Sequence, residues 1–239
     1  MLGYLRYVIE SIKYQVPFSL KGVPVARFVN RPKDMQQLEQ VLLPQTQAES
    51  FRRKILVLNG LGGIGKTQLA VEFARKHQAA FTSVFWLDGS SKDSLKQSII
   101  ACAGRILEGQ ISEMSRKYSS GTKSELDTVV AEFIGWLRRT ENQSWLIIFD
   151  NVDRDYQQES DIDAYDINNY IPDVDHGSIL ITTRLANLQQ LGESLHLDRV
   201  DMSQARAIFR KWYNQDFSKA AFFGCRYTPY HYHYYIAQY

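Results

Sequence analysis

Short unbroken apolar runs alternate along the chain with longer stretches in which apolar residues return every three or four positions. The runs are Ile55 to Leu58, Val84 to Leu87, Leu146 to Phe149 and Ile179 to Ile181, each closed by polar residues. Such runs predict parallel strands covered on both faces, because a strand with one wet face would alternate instead. A weaker strand is predicted near Leu195 to Leu197.

The intervening stretches predict helices. Pro32 opens one with Met35, Leu38 and Leu42 on a single face, and Pro44 stops it. Lys66 to His77 forms the next, and Asp93 to Leu107 places Leu95, Ile99, Cys102 and Ile106 together. Lys123 to Arg139 carries the fullest stripe, Leu126, Val129, Val130, Phe133, Ile134 and Leu137, behind a capping box from Thr122 to Glu125. Strands and helices in this order predict a twisted parallel sheet with helices packed on it, and ligands in such sheets bind at the carboxyl ends of the strands. Met1 to Gln15 also has apolar residues at helical spacing, interrupted by Arg6, Glu10 and Lys13, and Pro17 to Val25 reads as an extended linker. Asp153 to Asp175 is acidic and irregular, so Asp161, Asp163 and Asp166 are expected in a solvated loop and not in a calcium site.

Composition narrows the class. The 239 residues are 44% hydrophobic, enough for one α/β domain with flanking pieces. Lys plus Arg number 28 against 26 Asp plus Glu, so no global field draws the chain to nucleic acid or an acidic membrane. The basic clusters Arg52, Arg53, Lys54 and Arg138, Arg139 read as solvated element ends. No stretch approaches the roughly 20 apolar residues of a membrane span. Cys102 and Cys225 are the two cysteines; Cys102 falls on an apolar helix face, which favours a buried thiol and a reducing, cytoplasmic setting.

The chemistry begins where the first strand ends. Gly60 to Thr67, Gly-Leu-Gly-Gly-Ile-Gly-Lys-Thr, fits G-x-x-x-x-G-K-[ST] between that strand and a helix. Glycines allow successive N–H groups to turn inward at an anion, and the helix N-terminus adds its positive dipole end. Gly60, Gly62, Gly63, Ile64, Gly65 and Gln68 are the expected surround of a nucleotide's phosphates, Lys66 the residue that reaches the β and γ positions, and Thr67 a Mg²⁺ ligand. Asp150 closes the strand Trp145 to Phe149, where burial of an acid is offset by a metal on the phosphates. The element Gly177 to Arg184 reads as a strand ending in an arginine, from which a guanidinium can sense a terminal phosphate.

These three elements, with Phe149-Asp150-Asn151-Val152-Asp153 and Gly-Ser-Ile-Leu-Ile-Thr-Thr-Arg in that order, resemble the NB-ARC module of the STAND nucleotide switches in its NOD-like receptor form. Arg27 to Arg31 resembles the family's entry motif, with Asn30 in place of the usual glycine. The resemblance spans about Val25 to Tyr213. It implies a three-layer α/β fold with a mostly parallel five-stranded sheet, Phe28, Val29 and Arg31 beside the base of ADP or ATP, and Lys66, Asp150 and Arg184 as the catalytic group. It further implies protein partners or self-association.

The sequence departs from the family at two places. Where the family commonly has a second acid after Asp150 there is Asn151, with Asp153 further on, which predicts slow hydrolysis. After the helix near Ser203 to Trp212, a helical subdomain with Gly-Leu-Pro-Leu and a winged helix would follow; residues 214–239 instead crowd aromatics, as a truncation or a shifted reading frame would produce. His231 and His233 alone do not complete a metal site there. The expected division is an N-terminal helix and linker over 1–24, the nucleotide-binding domain over 25–213, and this tail. A P-loop ATPase of another type, such as an AAA+ motor, and a non-catalytic protein-binding fragment are the rival readings.

Overall fold

The computed structural model describes residues 14–20, 31–44, 52–154, 163–200 and 202–213. Phe28, Val29, the apolar N-terminal stretch before Tyr14, Cys225 and the aromatic tail lie outside the described residues.

Helix α1 (Pro32–Leu42) precedes strand β1 (Lys54–Asn59), the phosphate-loop sequence and α2 (Lys66–His77). Strand β2 (Ser83–Asp88) follows, then α3 (Lys92–Ala103), the single turn α4 (Glu113–Arg116) and α5 (Lys123–Leu137). Strands β3 (Trp145–Asp150), β4 (Ser178–Thr183) and β5 (Glu193–His196) complete the sheet, and α6 (Met202–Tyr213) ends the described chain. All four strand pairings are parallel, in the order β2-β3-β4-β1-β5.

The apolar runs are continuous because alternate residues serve opposite faces. Leu56, Leu58, Leu146, Ile148 and Leu180 face one core with α1 and α2. Val57, Phe85, Ile147, Phe149, Ile179 and Ile181 face the other with α3 and α5. The result is the expected three-layer sandwich. The helix after β1 and the helices after β2 lie on opposite faces, and the carboxyl ends of β1, β4 and β3 share one edge, which makes that edge a topological switch point.

Several local expectations hold and others need adjusting. The capping box is present, with Thr122 Oγ1 accepting from the Glu125 N–H and the Glu125 carboxylate accepting from the Thr122 N–H. Helix α3 ends at Ala103, four residues short of the predicted limit, because Arg105 and Ile106 donate to Cys102 and Ala103 and tighten the last turn. The acidic connection after β3 is only partly a solvated loop. Asp166 caps a 3-10 turn over Ile167–Tyr170, and Tyr165, Ile167 and Tyr170 enter the core. Asp161 lies outside the described residues. The basic clusters are also more than solvated ends, since Lys54 Nζ donates to the Leu43 carbonyl, Arg53 to Pro172 and Arg139 to Gln110. Tyr14, near the end of the Met1 to Gln15 stretch, and Val16, just before the predicted linker, are buried in the core, Tyr14 against Trp136. Cys102 is buried, and burial pushes its thiol up to about 12.

Entry to β4 depends on Gly177, whose φ is +82° and whose added Cβ would lie 2.3 Å from the Trp145 ring. Gly177→Ala combines a left-handed backbone with overpacking, so it should lower stability by about 2 to 4 kcal/mol. Chemical denaturation checks this; an unchanged midpoint would mean that strand entry tolerates a side chain.

Candidate functional site

β1 feeds directly into the loop, where Gly60, Gly63 and Gly65 have φ of 149°, 73° and 101°. At Gly60 space also demands glycine, because a Cβ there would sit 2.8 Å from the Leu197 carbonyl oxygen. Gly65 caps α2, so the first N–H groups of that helix open onto the loop with the positive end of its dipole. Gln68 follows half-buried in the first turn.

Lys66 is the loop's cation. Its Nζ donates to the carbonyls of Gly60 (2.8 Å) and Leu61 (3.0 Å) and is buried. Burial pulls the ammonium below the ordinary lysine range, with Asp153 and Asp150 partly opposing that shift. No carboxylate among the described residues forms an ion pair with it.

Asp150 is the matching anion. The five residues of β3 before it are buried, and its Oδ1 accepts two hydroxyls, from Thr67 (2.8 Å) and Thr182 (2.6 Å). Thr67 comes from the loop and Thr182 from β4, which lies between β1 and β3, so the carboxylate reaches the loop across the intervening strand. Burial raises the Asp150 carboxyl above the usual range; the two hydroxyls oppose this, and Asp88 and Asp153 reinforce it. Asp150 likewise has no ion-pair partner among the described residues.

Arg184 stands over the loop. An added Cβ at Gly62 would be 3.4 Å from its guanidinium. Its Nε pairs with Asp153 Oδ2 at 2.6 Å, and its backbone N–H donates to Asp153 Oδ1 at 2.6 Å. Asp153 is thereby held as a counter-ion and is poorly placed to act as a base. Asn151 has φ of 64° and donates its backbone N–H to Thr182 Oγ1 (2.9 Å). Asn tolerates that left-handed backbone better than most residues, which gives Asn151 a conformational reason for being where the resemblance expects an acid.

The loop residues, Lys66, Thr67, Asp150 and Arg184 therefore converge on one sheet edge. Arg31 reaches the same loop from α1: it is buried and donates to the Ile64 carbonyl at 3.3 Å. Thr182 and the Asp153 to Arg184 pair were not assigned roles from the sequence. Their signal there is the polar Thr182-Thr183-Arg184 closing an otherwise apolar strand.

The fit of a metal with a polyphosphate follows from charge. A buried cation and a half-buried carboxylate flank the loop's mouth, neither in an ion pair among the described residues, and the Thr67 hydroxyl donates to the carboxylate. Among the described residues no group of three His, Cys, Asp or Glu side chains could cage a metal. A hydroxyl and one carboxylate suit Mg²⁺, which takes one or two protein oxygens and completes its shell with phosphate and water.

Asp150 in the nucleotide-free fold should cost stability. A raised folded pKa makes that cost full above the raised value and nil below the ordinary 3.8. Asp150→Asn keeps an oxygen for both hydroxyls and removes the charge. The variant should be at least as stable as wild type at neutral pH, with the gap closing as pH falls toward 3.8. Denaturant titrations at several pH values check the sign; a variant clearly less stable at neutral pH would mean that the charge itself holds the site together.

Residues 31–204 match the NB-ARC domain family. A nucleotide-binding leucine-rich repeat (NLR)-like protein of Hyaloscypha variabilis is 25% identical over 182 residues, covering 72% of this chain. The chain spans 17% of that relative's length. Among solved structures, a STAND protein with a tetratricopeptide repeat sensor from Pyrococcus horikoshii is similar at 18% identity and TM-score 0.48. That likeness covers 84% of this chain and 28% of the other. Cdc6p from Pyrobaculum aerophilum is similar at 14% identity and TM-score 0.49, over 84% of this chain and 52% of that one. The family match takes in the loop and the strands that end in Asp150 and Arg184, and the chain belongs to the NB-ARC domain family.

Proposed function

We propose that the chain is the ADP- and ATP-binding core of a NOD-like receptor signalling switch, working in the cytoplasm with Mg²⁺ and hydrolysing ATP slowly. The observation that carries this reading is the placement of Lys66, buried, and Asp150, half-buried, at one loop mouth, each without an ion-pair partner among the described residues. The NLR-like relative supports the receptor assignment.

Each side chain has a part in that reading. The loop N–H groups and Lys66 bind the phosphates, and Lys66 Nζ exchanges two carbonyl partners for phosphate oxygens. Thr67 and Asp150 hold Mg²⁺, which when bound offsets the charge on the β and γ phosphates. Arg184, beside Gly62, is poised to meet a terminal phosphate if Asp153 releases it. A switch needs the two nucleotides to bind two conformations with different free energies, and a contact made to ATP alone supplies such a difference. Protein partners or self-association would read out the two states. Asn151 offers no carboxylate to take a proton from water, and Asp153 is occupied by Arg184, which together favour slow turnover.

Calorimetry with ADP and with Mg·ATP tests the binding site. Lys66→Ala should weaken both by at least about 1.5 to 3 kcal/mol, the scale of a charged hydrogen bond. Equal affinity in variant and wild type would remove the loop from the binding site. For the chemical step, Asn151→Asp should raise single-turnover hydrolysis, since general-base help is worth about 10² to 10⁴-fold. Fast hydrolysis by the wild type, unaltered by Asp153→Ala, would contradict the missing-base account.

A further inference from the structure

We propose that Arg31 is a positioning residue of the phosphate loop, a clamp between the loop and the chain just beyond β5, and not a reader of the nucleotide base. This rests on the loop being the phosphate site. Arg31 is 7% exposed, and its two terminal nitrogens make four hydrogen bonds within the chain. One donates to Asp34 Oδ2 (3.2 Å) and the Asp198 carbonyl (3.1 Å), the other to the Ile64 carbonyl (3.3 Å) and again Asp198 (3.1 Å). Each terminal nitrogen carries two N–H groups, so these four bonds engage the whole outer edge of the fork.

What the clamp holds is the part of the loop least able to hold itself. Ile64 lies between Gly63 at φ 73° and Gly65 at φ 101°, and glycine on both sides leaves its peptide many alternative orientations. The other jaw is fixed independently: Leu197 N–H donates to the Asn59 carbonyl at 2.8 Å, tying the end of β5 to the residue before Gly60. The base of the clamp is also rigid, because Arg31 caps α1, Pro32 occupies the first turn, and Asp34 in that turn pairs with the guanidinium. Entry and middle of the loop are thus referred to one frame through Asn59, Leu197, Asp198 and Arg31. Ordering a glycine-rich loop before it meets its ligand removes a cost that binding would otherwise bear.

A clamp and a base reader predict different ligand dependence. Affinities of ADP and of pyrophosphate, both with Mg²⁺, are measured by calorimetry for wild type, Arg31→Ala and Arg31→Lys. Loss of one charged hydrogen bond's worth of preorganisation corresponds to about tenfold or more, and the clamp predicts that factor equally for both ligands. Arg31→Lys, a point charge without a fork, should recover only part of it. Amide hydrogen exchange without ligand is the companion readout: in either variant Leu61 to Thr67 should exchange faster while β3 keeps its protection. ADP weakened with pyrophosphate unchanged would make Arg31 a base reader, and no weakening of either would remove its role; both overturn the clamp. Uniformly faster exchange, β3 included, would also overturn it by making Arg31 a general stabiliser. If wild type binds neither ligand, the nucleotide reading fails, and local loop exchange still decides whether Arg31 orders the loop.

Discussion

The Oδ1 atom of Asp150 accepts hydroxyls from Thr67 and Thr182, one beyond the carboxyl end of β1 and the other near that of β4. Those two bonds tie together three neighbouring strands at the edge where the helical connections change face. They also make a carboxylate tolerable at the end of a strand whose other residues are all buried. β4, lying between β1 and β3, supplies the second of those hydroxyls, so the carboxylate is the common partner of the two threonines. The same Thr182 oxygen accepts from the Asn151 N–H and holds that residue in its left-handed turn. One hydroxyl therefore sets both the acid and the turn that follows it.

Charge at this edge is distributed in two different ways. Arg184 and Asp153 neutralise each other in a short pair, with Arg184 largely exposed. Lys66 and Asp150 do not; Lys66 is buried and Asp150 half-buried at the loop's mouth, and desolvation shifts them in opposite directions, the ammonium downward and the carboxyl upward. Structural ion pairs relieve such strain locally. A pair held apart at the mouth of a glycine loop relieves it only when a ligand with both signs of charge arrives, and a metal-bound polyphosphate is such a ligand.

Much of this was legible in the chain because the signals are local. Unbroken apolar runs announced four of the five strands, the loop sequence announced its own conformation, and Thr122 with Glu125 announced a helix start that the structure reproduces. What the sequence could not show is where strands far apart in the chain become neighbours. Thr182 gains its role from pairing of β4 with β1 and β3, and Arg31 from the Asp198 carbonyl 167 positions away. Backbone carbonyls carry no residue identity, so a side chain that works through them leaves no motif. The packing of Tyr165 and Tyr170 was hidden for a related reason: apolar residues in an acidic, irregular stretch have no period to reveal them.

The central claim is that one sheet edge presents a preassembled site in which Lys66 serves the phosphates and Thr67 with Asp150 serves the metal. A crystal structure of the chain with Mg²⁺ and ATP tests it most directly. The account predicts Lys66 Nζ moved from the Gly60 and Leu61 carbonyls onto phosphate oxygens, with Mg²⁺ beside the Thr67 hydroxyl and Asp150 close enough to hold it directly or through water. Nucleotide bound elsewhere, or Lys66 still on those two carbonyls with the metal remote from Thr67, would contradict it.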